Sequence, residues 1–279
     1  MKIDAHQHFW IYDKTDYAWI DNRMGKLKRD FLPEDLQPEL IKSGFSGSVV
    51  VQARQTIEET RWLLQLADRY DFIKGVVGWV DLCSGDELKR QLDEFCKSGK
   101  FSGVRHVVHD EPEDNFMLMD NFMKGMSLLG EYDLTYDLLI FPKHLPVAQV
   151  VVSAFPEQKF VIDHIAKPHI KDQIISPWKE DLMTIADQKN VWCKISGMVT
   201  EADWKNHKPE NFFSYLDVVF NAFGPGRLMI GSDWPVCCLA GGYKDVMGIV
   251  EDYISKMPDE IREKILGTNC IYFYGLKAV

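Results

Sequence analysis

The stretch at residues 48–80 reads SVVVQARQTIEETRWLLQLADRYDFIKGVVGWV and contains one complete strand–helix–strand unit. It begins and ends with β-branched runs, at residues 48–52 and 74–80. Between them, Thr56 and Glu59 have the spacing of a capping box, and the apolar residues that follow repeat at steps of three and four. This pattern predicts a helix over residues 56–70 that connects two strands.

The same unit recurs along the chain of 279 residues. Eight apolar or β-branched runs predict strands at 2–6, 48–52, 74–80, 102–108, 133–139, 159–163, 190–196 and 227–231. Further helices are predicted at 85–98, 146–154, 176–189, 209–223 and 243–257. The length alone would allow two domains, but this alternation favours the α/β class and a single (β/α)8 TIM barrel over residues 1–279. Dinucleotide-binding and P-loop glycine motifs are absent from the sequence.

The first two strands are separated by a longer segment than any later pair. It forms a predicted loop over about residues 9–46, and it contains Trp10, Tyr12, Tyr17 and Trp19. Such a loop would begin at the catalytic face of a barrel, where it could cover a small-molecule site. The alternative is an insertion that faces solvent and packs on its own aromatic side chains.

Composition narrows the class of partner. The 32 basic and 42 acidic residues give a net charge of −10, which argues against nucleic acid and anionic membranes as partners. The first residues lack the apolar stretch of a signal peptide, and no run approaches the roughly 18 apolar residues of a membrane span. The six cysteines form no Cys-x-x-Cys pair, so reduced thiols and a cytoplasmic location are expected.

Four residues at strand ends carry the strongest signal for chemistry. His6 and His8 lie two apart at the end of the first strand, so both imidazoles should face the same side. His164 follows the sixth strand, and Asp233 follows the eighth. Three imidazoles and a carboxylate at one rim can hold a metal ion, and Asp233 can also take a proton from water. Asp163 is either an orienting partner of His164 or a turn residue.

Further polar and aromatic residues at strand ends are candidate substrate binders. Arg105 can form a forked pair with a carbonyl, a carboxylate or a hydroxyl pair of a substrate, or it is a buried arginine paired with a strand-end carboxylate. His109 is a candidate hydrogen-bonding group or leaving-group acid. The rings of Trp10 and Trp234, next to the predicted site, can stack on the apolar face of a sugar. The remaining candidates are Gln52, Arg54 and Tyr136.

Several stretches resemble the amidohydrolase superfamily, over nearly the whole chain. They are KIDAHQHFW at residues 2–10, VIDHIAKP at 161–168, LMIGSDWPV at 228–236 and NCIYFYGL at 269–276. GWVDL at 78–82 and GVRHVVHDEPED at 103–114 are similar to the branch of amidohydrolase-related sugar lactonases that open L-fucono- and L-rhamnonolactone.

The resemblance implies that His6, His8, His164 and Asp233 form the metal and catalytic centre. Members with two metals usually also carry a bridging Lys or Glu on strand 4 and a His on both strands 5 and 6. Here strand 4 offers Arg105, and strand 5 offers no His, which argues against a binuclear site. One divalent ion such as Zn²⁺ and catalysis without a metal both stay open.

The sequence thus predicts a hydrolase that opens a sugar-acid lactone to the free acid at the barrel mouth. The small-molecule lactone is the expected partner, and both a monomer and a homodimer are compatible with such a barrel. One alternative is a metal-dependent decarboxylase or another carboxylate-substrate hydrolase of the same superfamily, which would need tightly bound Zn²⁺ and more cationic residues. A non-enzymatic alternative is a barrel that binds a sugar acid without converting it.

Overall fold

Eight parallel strands follow one another around one sheet in sequence order. The computed structural model describes residues 1–277. The strands are β1 (Ile3–Gln7), β2 (Gly47–Val51), β3 (Ile73–Gly78), β4 (Phe101–His106), β5 (Thr135–Leu138), β6 (Phe160–Ile162), β7 (Val191–Ile195) and β8 (Leu228–Ile230). Each strand lies within two residues of the run that predicted it. The predicted (β/α)8 barrel is confirmed.

Helices fill the connections between the strands. They are α1 (Pro33–Lys42), α2 (Ile57–Arg69), α3 (Asp86–Phe95), α4 (Asp120–Leu129), α5 (Leu145–Ala154), α6 (Trp178–Ala186), α7 (Glu210–Phe223), α8 (Tyr243–Ile254), α9 (Asp259–Glu263) and α10 (Asn269–Tyr274). The six predicted helices are all present, with ends that differ by up to three residues. Among the described residues, no helix has both the length and the apolar character to cross a membrane.

The segment predicted as a loop over residues 9–46 contains regular structure, and the prediction is corrected there. It includes a short 3₁₀ segment, Asn22–Leu27, and the helix α1. Pro33 occupies the first turn of α1, and the Asp35 carboxylate accepts a hydrogen bond from the backbone N–H of Leu32 at 3.0 Å. Both features suit a helix start, since proline lacks the N–H that would be unpaired there.

The barrel closes where β8 meets β1. The backbone N–H of Asp233 donates to the carbonyl of His6 at 2.8 Å, and that of His8 donates to Trp234 at 2.7 Å. Gly231 makes this approach feasible, because a Cβ there would lie 2.7 Å from the Cβ of His6. The backbone that carries Asp233 is therefore tied directly to the backbone that carries His6 and His8.

The barrel interior is layered along its axis. Its lower part is apolar and includes Ala5, Val51 and Met229, which pack against the C-terminal helix α10. Phe273 and Tyr274 of α10 belong to the same buried cluster, so this helix covers one end of the barrel. A larger apolar core lies between the strands and the outer helices. The polar layer described below lies above the apolar floor.

Substituting Gly231 should weaken the closure of the barrel. In Gly231→Ala the added methyl group meets His6, and this overpacking should lower the free energy of unfolding by about 1–3 kcal/mol. Gly226→Ala is the matched control, because a Cβ there has no neighbour within 4 Å among the described residues. Urea denaturation of both variants measures the difference. Equal stability of the two variants would contradict the close approach at Gly231.

Candidate active site

His6 lies at the centre of a buried polar layer. One ring nitrogen, Nδ1, lies 3.2 Å from Asp163 Oδ1 and 3.1 Å from Lys194 Nζ. The other, Nε2, lies 3.2 Å from His8 Nε2 and 3.2 Å from Arg105 Nη1. Burial holds the pKa of His6 well below its usual range, so the ring is neutral near pH 7. A neutral imidazole offers one lone pair, on one of its two nitrogens.

His8 has a defined hydrogen-bond direction. Its Nδ1 lies 2.7 Å from the carbonyl oxygen of Val51, which can only accept. Nδ1 is thus assigned the proton, and the lone pair of a neutral ring lies on Nε2. This Nε2 lies 3.3 Å from Asp233 Oδ1. The backbone of β2 therefore orients the imidazole of β1 toward the carboxylate that follows β8.

His164 and Asp233 both leave their strands in the left-handed backbone region. Their φ angles are 53° and 57°, which non-glycine residues adopt rarely and mostly where surrounding contacts enforce it. The ring of His164 is fixed through Nδ1, which lies 2.9 Å from Ser196 Oγ. Its Nε2 lies 3.9 Å from Asp233 Oδ1. Gly197 leaves room for the ring, since a Cβ there would lie 2.4 Å from Nδ1 of His164.

The three groups His6, His8 and Asp233 form a triangle of possible ligand atoms. The two Nε2 atoms are 3.2 Å apart, and Asp233 Oδ1 lies 3.3 Å from His8 and 3.9 Å from His6. Ligand atoms that surround tetrahedral Zn²⁺ at about 2.0–2.1 Å are separated by about 3.3 Å. The donor set and its spacing therefore fit one divalent metal ion. A second group that could hold a metal consists of His6, Asp163 and His164.

Four buried charged side chains lie beneath this triangle: Arg105, Asp137, Asp163 and Lys194. Lys194 Nζ lies 2.5 Å from Asp137 Oδ2 and 3.0 Å from Asp163 Oδ1. Arg105 Nη1 donates to Asp163 Oδ2 at 3.0 Å. Burial alone would raise the pKa of Asp163, but Lys194 and His6 hold it well below its usual range. Asp163 is therefore an anion that orients His6. The sequence suggests it as an orienting partner of His164, but the Nδ1 of His164 lies 2.9 Å from Ser196 Oγ instead. Lys194 forms salt bridges with Asp137 and Asp163.

A cavity of about 470 Å³ opens above these groups. Six of the sequence-predicted residues line it: His8, Gln52, Arg105, His109, His164 and Asp233. His6 lies beneath, fully buried. The parallel strands bring these residues together because all their carboxyl ends meet at the same rim.

Three of the cavity-lining side chains have buried polar atoms without a hydrogen-bond partner among the described residues. These atoms are Arg105 Nε, Gln52 Nε2 and His109 Nδ1. Unpaired buried polar atoms are costly, and all three belong to side chains that line one cavity, which suggests a polar ligand. The remaining nitrogens of Arg105 are engaged, since Nη2 donates to the side-chain oxygen of Gln52 at 2.9 Å.

His109 stacks on Phe141, with ring centroids 4.6 Å apart. Burial, together with the charges of Lys167 and Arg105, lowers the pKa of His109 to about 3. The ring is therefore neutral near pH 7 and carries no extra proton to give to a leaving group. This geometry favours the first predicted role of His109, a hydrogen-bonding group, over that of a leaving-group acid.

The structure does not place four predicted substrate binders in the cavity wall. Trp10 and Trp234 are buried and pack on Phe31, with ring centroids 5.3 Å apart in both pairs. Tyr136 is fully buried and packs against Phe122 and Phe160, outside the barrel. It alternates with the inward-facing Asp137 along β5, so its ring must point toward the helices. These three predictions are corrected.

Arg54 is also directed away from the cavity. Its guanidinium forms a salt bridge with Asp16 at 3.0 Å and lies 5.5 Å from the ring centroid of Tyr17. Both partners belong to the segment between β1 and α1, so Arg54 fastens this segment to the barrel. The prediction that Arg54 binds substrate is corrected accordingly.

Sequence reasoning missed part of the cavity wall. Arg23 and Met24 come from the segment after β1, and Lys167, Glu201 and Trp204 come from connections after β6 and β7. No periodicity marks such loop residues. Trp19, one of the aromatic residues of the long predicted loop, lines the cavity. That segment both packs on its own aromatics and covers part of the site.

The family model and two relatives that are similar to this chain agree with one another. A family model described as amidohydrolase matches residues 3–276. An L-fucono-1,5-lactonase of Burkholderia multivorans is 37% identical over 287 residues, which covers 99% of this chain and 96% of that protein. The L-fucono-1,5-lactonase of Burkholderia ambifaria is 36% identical over 283 residues, with 99% and 96% covered.

A solved structure agrees with these relatives. The crystal structure of an amidohydrolase from Burkholderia multivorans with bound zinc superimposes with a TM-score of 0.96. That protein is 37% identical, and the match covers 99% of this chain and 100% of the other.

The buried side chain of Glu59 holds the loop that follows Gln52 at the rim of the barrel. Thr56 Oγ1 accepts a hydrogen bond from the backbone N–H of Glu59 at 3.2 Å, as the predicted cap requires. The carboxylate, however, accepts from the N–H groups of Ala53 at 3.0 Å and Arg54 at 2.8 Å. The reciprocal half of the predicted capping box is thus replaced by bonds to the loop that follows Gln52. Burial raises the pKa of Glu59 to about 7.

This raised pKa predicts a pH dependence of stability. Because the folded state favours protonated Glu59, its contribution is fully present below the ordinary pKa and is lost as the pH rises through about 7. In Glu59→Gln this loss is absent, so the stability of the variant relative to wild type should rise between pH 4.5 and 8. The rise should be about 3 kcal/mol, measured by urea unfolding.

Glu58→Gln serves as the control, because Glu58 is in the same helix turn and its side chain is 78% exposed. A stability difference between Glu59→Gln and wild type that stays constant over this pH range would contradict the prediction.

Proposed function

The chain belongs to the amidohydrolase family, and we propose that it hydrolyses a sugar-acid lactone to the free acid at the mouth of the barrel. Full-length similarity to two L-fucono-1,5-lactonases supports this substrate class. The observation that carries the proposal is the position of Asp233. Its carboxylate lies 3.3 Å from His8 and 3.9 Å from His6 and His164, at the floor of a cavity with unpaired polar atoms.

Substrate binding uses the groups that the fold leaves unpaired. Arg105 Nε and Gln52 Nε2 can donate to carbonyl or hydroxyl oxygens, and His109 Nδ1 can bond a hydroxyl. The rings of Trp19 and Trp204 offer apolar walls for the C–H faces of a sugar ring. The cavity volume of about 470 Å³ is within the range of small-molecule sites.

Lactone opening needs one base and stabilisation of an oxyanion. Asp233 takes a proton from the attacking water, and the water oxygen forms a bond to the carbonyl carbon. Negative charge then develops on the carbonyl oxygen, where the guanidinium of Arg105 stabilises it in a site of low dielectric. A divalent metal held by His6, His8 and Asp233 would polarise the carbonyl and lower the pKa of water.

The ring C–O bond breaks when the tetrahedral intermediate collapses. The ring oxygen leaves as a hydroxyl group after it takes back the proton that Asp233 removed from water. His109, neutral near pH 7, orients a substrate oxygen by a hydrogen bond. The product is an open-chain hydroxy acid that loses a proton at neutral pH.

The charge of the cavity wall favours a neutral lactone over a multiply charged acid. Lys167 is paired with Glu201 at 2.7 Å, and Arg23 is paired with Asp21 at 2.6 Å. Arg105 is itself bound to Asp163. The alternative predicted from the sequence, a carboxylate-substrate decarboxylase or hydrolase, would need more free cationic groups. The non-enzymatic alternative leaves the position of Asp233 among three imidazoles unexplained.

Removing the base tests this proposal. Asp233→Asn should lower kcat for aldonolactone hydrolysis by about 100-fold or more, because the amide cannot accept a proton from water. A panel of L-fucono-, L-rhamnono- and other aldonolactones, followed with a pH indicator, measures the released acid.

Asp110→Asn is the matched control, since Asp110 lines the same cavity and its side chain is 66% exposed. We expect its kcat to change by less than about tenfold. Turnover of Asp233→Asn within that range would remove Asp233 from the catalytic role, and no acid release by the wild type from any lactone would refute the function.

A further inference from the structure

His6 Nε2 faces two different partners. Arg105 Nη1 lies 3.2 Å from it on one side, within reach of an N–H donor bond. On the other side lies the triangle with His8 Nε2 and Asp233 Oδ1 that fits a divalent cation. A neutral imidazole nitrogen has a single lone pair. It can accept a hydrogen bond from Arg105 or bind a metal ion, but it cannot do both.

Arg105 is held in this position by other groups. Its side chain is 4% exposed and forms a salt bridge with Asp163 at 3.0 Å. Nη2 donates both to the backbone carbonyl and to the side-chain oxygen of Gln52. The guanidinium is therefore anchored from two sides independently of His6. A metal ion that bound at His6 would have to displace a fixed cation from the lone pair.

The charge balance of the polar layer leads to the same conclusion. Arg105 and Lys194 face the carboxylates of Asp137, Asp163 and Asp233. With neutral imidazoles, these five groups carry one net negative charge. A divalent cation would change the net charge of this buried cluster from −1 to +1, so the cluster attracts it only weakly. Without Arg105, the same cation would leave the cluster neutral.

We propose that Arg105 is a built-in cation that competes with a divalent metal for His6 Nε2 and keeps the metal affinity of this site low. In the metal-free state the guanidinium of Arg105 contacts His6 Nε2. In the metal-bound state Arg105 must release that contact. Arg105 would thus decide how readily the triangle of His6, His8 and Asp233 takes up an ion. This inference concerns metal binding alone and does not depend on the substrate.

The test measures metal binding directly on the full chain. Apo protein is titrated with Zn²⁺ against a chromogenic chelator, and Co²⁺ absorption reports coordination by nitrogen. Arg105→Met should bind Zn²⁺ more tightly than wild type, by about tenfold or more. Arg54→Met is the matched control, because Arg54 lies at the same rim but pairs with Asp16, and its Zn²⁺ affinity should equal that of wild type.

A double variant shows where the more tightly bound Zn²⁺ sits. His8→Asn added to Arg105→Met should abolish the gain, because His8 belongs to the triangle but not to the second possible group around Asp163. Arg105→Gln gives a second test of the gain if the methionine variant does not fold, as judged by circular dichroism. Unchanged or weaker Zn²⁺ binding in the folded Arg105 variant would overturn the proposal. A gain that persists in the double variant would overturn it as well.

Discussion

The buried carboxylate of Asp163 is the interaction on which the site depends. It contacts Arg105, Lys194 and His6 at 3.0–3.2 Å in a region without solvent exposure. A buried anion must be paired, and each of its partners comes from a different strand. The carboxylate therefore links β1, β4 and β7 through their side chains, above an apolar floor that cannot satisfy any of these groups. Loss of one partner would leave a buried charge that the others must compensate.

This ionic layer also separates two kinds of packing. Below it, Val51, Val77 and Met229 fill the barrel with apolar side chains. Above it, the cavity is lined by groups whose polar atoms are partly unpaired. The layer orients the imidazole of His6 from beneath, while the backbone of β2 orients His8 from the side. The reacting groups thus stand on a rigid base, which favours a preorganised electrostatic environment.

Strand positions could be predicted from the sequence because buried parallel strands appear as short apolar runs at regular spacing. The helices α1 and α4 could not be predicted so readily. Helix α1 contains Pro38, and α4 contains Gly125, two residues that lower helix propensity. Gly125 is required by packing, since a Cβ there would lie 2.0 Å from the carbonyl oxygen of Leu82. Such tertiary constraints are not visible in a local pattern.

The residues of the candidate site likewise fall into those that the sequence predicts and those that it does not. Residues at strand ends, such as His8, Arg105 and Asp233, were predictable because barrel topology brings those ends together. Neighbours in sequence were poor candidates, because alternation and loop geometry turn their side chains elsewhere. Tyr136 points to the helices for this reason, and Trp234 packs under Phe31. The loop residues Arg23 and Trp204 reach the cavity through chain paths that no sequence pattern describes.

The cover formed by α10 has a consequence for the order in which the molecule can be completed. The Tyr274 hydroxyl donates to Asp137 at 2.8 Å, and Asp137 in turn pairs with Lys194 beside His6. The network around a residue near the start of the chain is therefore finished by one near its end. During synthesis on the ribosome, His6 and Asp163 emerge long before this last partner. Until residue 274 is available, Asp137 lacks one of its two donors, so the buried network beside His6 is complete only once α10 has packed against the barrel.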